Sequence, residues 1–205
     1  MSASHLEFLA EEPSMEAFLR ALLPRVLPEL CTFQVHAFQG KSDLLAKLES
    51  RLRGYAAWCP PNWRLVVIVD RDDDNCRILK QRLDAIAHQA GLITRRSGAP
   101  QPWQLVNRIA IEELESWFFG DWTAVHLAYP RVPKDISGRA AFRDPDAISG
   151  GTWEALERVM CRYGYFPGGL EKIAAARRIG SYFDPKRCRS KSFQIFHQAL
   201  LEAVA

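Results

Sequence analysis

A run of five aliphatic residues that ends in a cluster of carboxylates is the feature that most constrains this chain. Residues 65–69 read LVVIV, and the sequence DRDDD follows directly at residues 70–74. A short run of branched apolar residues between polar ones predicts a strand that is buried on both faces. In open α/β sheets, ligands bind at the carboxyl ends of such strands. The chain is therefore predicted to present several aspartates at a ligand-binding edge.

The acidic cluster has two interpretations. Four carboxylates within five positions repel one another unless a cation lies among them, and hard divalent cations take oxygen ligands. Aspartates after strands also form turns and cap helices. The cluster by itself leaves both interpretations open.

The rest of the first half of the chain alternates between strand-like and helix-like segments. Strands are predicted at residues 5–10, 32–38, 92–95 and 103–111, and helices at residues 15–23, 42–55, 75–90 and 112–119. Strands separated by helices of these lengths indicate βαβ units. We therefore predict an α/β fold with a mostly parallel central sheet, flanking helices and a helical C-terminal part.

The character of the sequence changes after residue 121. Residues 129–151 are rich in Pro, Gly, Asp and Arg and show no sustained period, which predicts a long loop or an irregular insertion. Helices are predicted at about residues 153–163, 170–178 and 193–204. We accordingly divide the chain into an α/β core, residues 1–121, and a loop and helical extension packed on that core, residues 122–205.

Composition excludes several classes of protein. The chain is 48% hydrophobic and 25% charged, which is typical of a globular protein and not of a disordered one. Its five cysteines form no CxxC pair, which argues against a zinc site or a disulfide framework and suits reduced thiols. No apolar run approaches the length of a membrane span, and the first residues lack the features of a signal peptide. We expect a cytoplasmic protein with no membrane partner.

Basic residues are concentrated near the C-terminus. Residues 171–191 contain seven basic and two acidic residues, whereas the whole chain has a formal charge of +3. Basic side chains beside aromatic ones are typical of surfaces that bind nucleic acid, although a solvated helix face has the same composition. The predicted substrate contacts in this segment are Lys186, Arg187, Arg189 and Lys191.

Glutamates follow the first predicted strand. In a parallel sheet, Glu11 and Glu12 emerge at the same edge as Asp70 and Asp72. Alternate residues at a strand end point to the same side, so the Asp-x-Asp spacing suits a shared site. Two or three such carboxylates predict a site for Mg²⁺ or Mn²⁺, which binds a phosphodiester and activates water.

A second acidic group follows the predicted strand at residues 103–111. At helical spacing Glu112 and Glu115 share a face, and Glu115 is placed to approach a metal or to orient a water. The alternative for Glu112 and Glu113 is an acidic first turn that complements the helix dipole. We include Glu115 among the candidate catalytic residues because a carboxylate next to apolar residues requires a partner.

The order of these motifs resembles the Toprim pattern of topoisomerases, bacterial primases and the overcoming-lysogenization-defect nucleases. In that pattern a Glu follows the first strand and an Asp-x-Asp follows a later one. More closely, the sequences LAEEPSMEAFL, VVIVDRDDDNC, IAIEELESWFFGD and RCRSKSFQIF resemble the bacterial family catalogued as domain of unknown function 4276.

The resemblance implies a Toprim-like fold and a Mg²⁺ site formed by Glu12, Asp70 and Asp72. Pro13 stands where a Gly usually follows the Toprim glutamate, so Glu11 remains an alternative ligand. Glu12 is preferred because it keeps the four-residue spacing to Glu16.

These features predict a Mg²⁺-dependent nuclease that hydrolyses DNA or RNA, with Lys186 or Lys191 stabilising the developing charge. Toprim-like proteins of this kind are often encoded beside ABC- or AAA-type ATPases, so the resemblance implies such a partner and a role in phage defence. The alternative is a non-catalytic binding or regulatory subunit of an ATPase complex, since the chain has no P-loop motif of its own. An Asp-x-Asp phosphatase with Asp70 as nucleophile ranks last, because the motif does not end the first strand.

Overall fold

The computed structural model describes residues 2–95 and 102–205. Its four strands are β1 (His5–Ala10), β2 (Thr32–Ala37), β3 (Trp63–Asp70) and β4 (Leu105–Ala110). They form one sheet in the order β2-β1-β3-β4, and every neighbouring pair is parallel. The predicted α/β fold with a parallel central sheet is confirmed, and the arrangement is consistent with a Toprim-like fold.

Helices cover both faces of this sheet. They are α1 (Pro13–Leu22), α2 (Lys41–Trp58), α3 (Cys76–Gln89), α4 (Glu115–Gly120), α5 (Trp122–Ala128), α6 (Thr152–Arg162), α7 (Lys172–Gly180) and α8 (Lys191–Val204). Within the described ranges, no helix combines the length and the apolar character that a membrane crossing requires.

Strand β3 is buried on both faces, as its apolar run predicts. Val66 and Ile68 contribute to a large core that also contains α1 and α4 to α8. Leu65, Val67 and Val69 contribute to a smaller core under α2 and α3. Because β3 lies between β1 and β4, its carboxyl end is near the middle of the edge at which the parallel strands end.

The C-terminal helices complete the larger core. Helix α7 packs closely along α1, where a Cβ at Gly180 would lie 3.0 Å from the carbonyl oxygen of Phe18. The ring of Phe18 meets that of Phe183 at a centroid distance of 5.1 Å, and Trp117 stacks on Phe196 at 5.2 Å. Residues on both sides of position 121 therefore share one core.

Three local predictions differ from the structure. Residues 92–95 do not form a full strand, because the segment pairs with β4 only through the single bridge Thr94↔Leu105. Helix α4 begins at Glu115 and not at Glu112, whose φ of 61° is incompatible with a right-handed helix. Helix α2 begins at Lys41 after Gly40, so its N-cap is this glycine and not Ser42.

The irregular insertion predicted for residues 129–151 is confirmed. Its regular structure consists of the short 3-10 helices Ile136–Gly138, Ala140–Phe142 and Pro145–Ala147. Asp146 connects this insertion to the start of α8, where its carboxylate accepts hydrogen bonds from the backbone N–H groups of Lys191 (2.6 Å) and Ser192 (3.1 Å). The insertion is therefore attached to the helical part of the fold.

Candidate metal site at the sheet edge

Carboxylates from three neighbouring strands meet at the carboxyl edge of the sheet. Glu11 and Glu12 follow β1, Asp70 ends β3, and Glu115 opens the helix after β4. The charge of Asp70 interacts most strongly with those of Glu11, Glu115, Glu12 and Asp72, in that order. The structure thus brings the predicted carboxylates close enough to repel one another.

Asp70 lies at the centre of this group. Its side chain is buried, and its Oδ1 has no hydrogen-bond partner among the described residues. Burial raises the pKa of Asp70 well above its ordinary value, and the neighbouring carboxylates raise it further. An unpaired buried carboxylate oxygen requires either a proton or a cation, so Asp70 is the strongest candidate ligand.

Glu11 and Glu12 have different surroundings. Glu11 is buried, and its Oε2 accepts a 2.9 Å hydrogen bond from the backbone N–H of Asp70. Burial raises the pKa of Glu11 to about 7, although this hydrogen bond and the charge of Lys41 act in the opposite direction. Glu12 is half-buried at the N-cap of α1, where its carboxylate accepts a hydrogen bond from the hydroxyl of Ser14. Glu11 therefore fixes the end of β3, and Glu12 is the less constrained of the two.

Asp72 lies in a turn beyond the end of β3. Its φ is 48°, so the alternation of side chains along a strand does not extend to this residue. The Nζ of Lys41 lies 2.8 Å from the carboxylates of both Asp72 and Asp74, and it also donates to the carbonyl oxygen of Arg71 at 3.0 Å. Asp74 does not cap α3, because Asn75 accepts the N-terminal backbone hydrogen bonds of that helix.

Glu115 is the most deeply buried glutamate of the group. It is 1% exposed, and its Oε2 has no partner among the described residues. Burial raises the pKa of Glu115 to about 7, the charge of Lys172 lowers it, and Glu113 and Glu12 raise it. Glu115 therefore titrates near neutral pH, which is the range required of a group that exchanges protons with water.

Lys41 and Lys172 are the basic residues that balance these carboxylates. Burial lowers the pKa of Lys172, but the charges of four carboxylates together raise it more, so the net shift is upward; these are Glu115, Glu12, Glu113 and Asp70. Its Nζ also lies 5.1 Å from the ring centroid of Trp153. Sequence reasoning missed both lysines as site residues, although Lys41 follows β2 at the same sheet edge and was open to the same topological argument. Lys172 reaches the site because α7 packs on α1. No local motif in the sequence predicts this packing.

Glu112 and Glu113 have structural contacts. Glu112 forms an ion pair with Arg71. Glu113 accepts hydrogen bonds from the hydroxyl of Thr152 (2.9 Å) and the backbone N–H of Trp153 (3.0 Å), and so it stabilises the start of α6. The prediction that Glu112 and Glu115 share a helix face is wrong, because Glu112 precedes the helix. Glu112 and Glu113 do not form the acidic first turn proposed as the alternative, because both precede α4.

The basic segment at residues 186–191 is partly occupied by internal contacts. The guanidinium of Arg187 binds the buried carboxylate of Asp121 at 2.9 and 3.0 Å. The guanidinium of Arg189 donates to the carbonyl oxygens of two residues in the insertion, at 3.0 and 3.2 Å. Lys191 Nζ donates to the side chain of Gln194 at 3.3 Å, and Lys186 is exposed. Both arginines therefore connect parts of the fold.

The chemistry of the donors suits a hard divalent cation. In the described part of the chain, no three His, Cys, Asp or Glu side chains are arranged with the geometry of a metal site. The carboxylate oxygens are nevertheless the ligand type that Mg²⁺ and Mn²⁺ prefer, and Asp70 and Glu115 each contribute one buried oxygen without a partner. The residues therefore fit such an ion chemically.

Comparison with known proteins gives one match. The family model described as domain of unknown function (DUF4276) matches residues 10–201, a span that contains every carboxylate of the site. Comparisons with curated proteins and with solved structures gave no match.

Proposed function

This chain belongs to the DUF4276 family, and we propose that its sheet-edge carboxylates make it a Mg²⁺- or Mn²⁺-dependent nuclease that hydrolyses DNA or RNA. One observation supports the proposal above all. Asp70 is buried among other carboxylates at the carboxyl end of a central parallel strand, with one oxygen that has no partner among the described residues. A divalent cation relieves this repulsion and satisfies that oxygen.

The proposed ligands are Glu12, Asp70 and Asp72, with Glu11 as the alternative to Glu12. When bound, the cation polarises a phosphodiester oxygen and lowers the pKa of a coordinated water. Glu11 holds the backbone at Asp70, which keeps that carboxylate at the sheet edge. Lys41 holds the turn that contains Asp72.

Glu115 and Lys172 are the proposed groups for proton transfer and charge stabilisation. A carboxyl group with a pKa of about 7 accepts a proton from an attacking water and releases it again near neutral pH. The ammonium group of Lys172 supplies positive charge where negative charge develops on the phosphate. Lys172 takes this role in preference to Lys186 or Lys191 because its charge interacts with the carboxylates of the site.

Nucleic acid is the proposed substrate because basic side chains continue from the site along the C-terminal region. Lys172 and the exposed Arg177 both belong to α7, which packs beside α1 and its N-cap Glu12. Lys186 and Lys191 remain candidate phosphate contacts. Arg187 and Arg189 are weaker ones, because their guanidinium groups bind Asp121 and backbone carbonyls.

The proposal is tested with labelled single-stranded DNA, double-stranded DNA and RNA oligonucleotides in Mg²⁺, Mn²⁺ or EDTA. We expect metal-dependent cleavage that falls at least roughly 100-fold in Asp70→Asn, as is usual when a metal ligand is lost. Asp73→Asn is the matched control, because Asp73 is exposed in the same turn. Equal cleavage by wild type and Asp70→Asn, with both folded, would show that the metal site is not catalytic.

A second candidate function is a non-catalytic binding or regulatory subunit of an ABC- or AAA-type ATPase complex. It is favoured by the ion pair between Lys41 and Asp72, which neutralises one proposed ligand, and by the lack of a formed metal-ligand group in the described residues. Titration calorimetry with Mg²⁺ and Mn²⁺ separates the candidates. No heat of binding, together with stable copurification with an ATPase, supports this function; metal binding that is lost in Asp70→Asn supports the nuclease.

A further inference from the structure

Helices α1 and α7 lie side by side and run in the same direction away from the candidate metal site. At one end, Glu12 is the N-cap of α1, and its charge interacts with that of Lys172, the first residue of α7. At the other end, a Cβ at Gly180 would lie 3.0 Å from the Cβ of Ala21. The surface between the two helices therefore leads away from the site.

An open groove of about 580 Å³ occupies this surface. Pro13, which follows Glu12, lines one end of the groove, and Ser181, which follows α7, lines the other. Ala17 and Ala21 lie between these ends on α1, where their small side chains leave room for a ligand. Of the residues that line the groove, only Ala17 is buried, so a ligand reaches the groove from solvent.

The groove lining contains one positive charge without a partner. Glu16 pairs with Arg20 at 2.7 Å, and Arg20 also donates to the carbonyl oxygen of Val35 at 3.0 Å. Arg177 is exposed, and its guanidinium has no hydrogen-bond or ion-pair partner among the described residues. The excess charge of the lining is therefore that of Arg177, and the complementary ligand is anionic.

Two further basic side chains lie at the ends of the groove. Lys172 lies at the end next to the carboxylates of the site. At the far end, the guanidinium of Arg25 donates to the carbonyl oxygens of Gly180 and Phe183, both at 2.9 Å, and pairs with no carboxylate in the described chain. An α-helix rises about 1.5 Å per residue, so Arg177 lies roughly 7.5 Å beyond Lys172 along α7. A row of positive charges along a groove suits the successive phosphates of a nucleic-acid strand.

The groove also presents apolar surface to its ligand. Ile173 lines it one turn before Arg177 and is 46% exposed. An unpaired nucleotide exposes the faces of its base to such a side chain, whereas in a duplex these faces are covered by stacking. The combination of apolar and basic contacts is typical of surfaces that bind single strands.

The width of the groove and the depth of the site both favour one strand over two. Axes of packed helices lie about 8–10 Å apart, so the groove between α1 and α7 is too narrow to hold a duplex. Asp70 and Glu115 are 6% and 1% exposed, so a phosphate must enter a recess to reach them. A flexible single strand bends into such a recess more readily than a stiff duplex.

We propose that the groove between α1 and α7 binds a single strand of DNA or RNA, whose phosphates contact Arg177 and Arg25 and whose path leads into the carboxylate site. The inference rests on the proposed nuclease function, to which it adds a binding surface and a preference for single-stranded substrates.

The test measures Kd by fluorescence anisotropy in EDTA, where the metal-dependent reaction does not proceed. The probes are a short fluorescein-labelled DNA strand, the RNA strand of the same sequence and the DNA duplex. Arg177→Gln should weaken single-strand binding at least roughly fivefold and reduce the slope of log K against log salt concentration by about 0.7, which corresponds to one phosphate contact. The duplex should bind wild type at least roughly tenfold more weakly than the preferred single strand.

Arg178→Gln is the matched control, because it makes the same change of charge at the neighbouring position. The guanidinium of Arg178 lies 5.0 Å from the ring centroid of Tyr129 and is not part of the groove lining. This variant should bind single strands as wild type does. Ile173→Ser should weaken binding without a change in the salt slope, because it removes apolar contact and no charge. Circular dichroism establishes that each variant is folded.

Photo-crosslinking supplies an independent measurement. A strand that contains 4-thiouracil is irradiated in the presence of the protein, and the modified peptides are identified by mass spectrometry. We expect crosslinks to residues of α1 and α7 that line the groove, and we expect fewer of them in Arg177→Gln than in Arg178→Gln.

Four results would overturn the proposal. They are no binding of either single strand, equal Kd and salt slope for Arg177→Gln and Arg178→Gln, duplex binding as tight as single-strand binding, and crosslinks confined to other elements. Cleavage in Mg²⁺, measured in parallel, separates this proposal from the nuclease proposal. Binding that depends on Arg177 without any cleavage would contradict only the nuclease, whereas cleavage with indistinguishable binding by Arg177→Gln and Arg178→Gln would contradict only the groove.

Discussion

At the scale of single residues, Asp70 is buried, and one of its carboxylate oxygens has no hydrogen-bond partner among the described residues. We predict that Asp70→Asn raises the melting temperature of the protein in EDTA, because the amide does not carry the charge that burial and the neighbouring carboxylates oppose. Wild type should gain stability when Mg²⁺ is added, whereas Asp70→Asn should not. Differential scanning fluorimetry with EDTA and with Mg²⁺ measures both effects, and Asp73→Asn should behave as wild type. An equal Mg²⁺ response in Asp70→Asn would remove Asp70 from the ligand set.

Arg187 provides a second test at this scale, because its predicted role and its observed contacts differ. Asp121 is buried and accepts two hydrogen bonds from the Arg187 guanidinium, which also donates to the carbonyl oxygen of Tyr182. Removing Arg187 leaves this carboxylate without its cation, so Arg187→Met should lower the free energy of unfolding by about 2 kcal/mol. Lys186→Met should change it little, because Lys186 is exposed. Urea unfolding measures both, and an unchanged stability in Arg187→Met together with weaker oligonucleotide binding would restore Arg187 as a substrate contact.

At the scale of elements, most strands and helices follow from local sequence, and the exceptions have physical causes. Strand β3 was predictable because a short run of branched apolar residues is typical of a strand that is buried on both faces, as β3 is. The start of α4 was not predictable. Glu112 has a left-handed backbone, and a glutamate in the sequence does not indicate this conformation as a glycine would. Asp72 is a similar case, since only the structure shows the left-handed backbone of this residue in the turn after β3. The convergence of carboxylates followed from parallel topology, whereas the contribution of Lys172 depended on how α7 packs.

The packing of α7 on α1 is tested by glycine substitutions. In Gly180→Ala the new Cβ would lie 3.0 Å from both the Phe18 carbonyl oxygen and the Ala21 Cβ, so the two helices must move apart. Overpacking of this kind should lower the free energy of unfolding by about 1–3 kcal/mol. Gly54→Ala is the matched control, because a Cβ at this exposed position of α2 meets nothing within 4 Å. It should stabilise the protein by about 0.5–1 kcal/mol. Equal effects of the two substitutions in urea unfolding would contradict a close α1–α7 contact.

At the scale of the whole molecule, the sheet-edge carboxylates connect stability to pH. Glu11 and Glu115 have pKa values of about 7 in the folded protein, above the ordinary value of 4.5. A carboxyl group whose pKa is raised by folding contributes stability below its unfolded pKa, and this contribution is lost as the pH rises through the folded pKa. The metal-free protein should therefore lose stability between about pH 4.5 and pH 7, relative to a variant in which both residues are glutamine.

Thermal melts in EDTA across this range, with the Glu11→Gln/Glu115→Gln variant as reference, measure the difference directly. The melting temperature of wild type should fall relative to the variant as the pH rises, because the folded state must then hold two charges that burial disfavours. Mg²⁺ should reduce the difference at about pH 7.5, since a bound cation favours the charged carboxylates. Parallel pH profiles of the two proteins in EDTA would show that burial does not raise the pKa values of these carboxylates. The mutual repulsion that supports a metal site would then be absent.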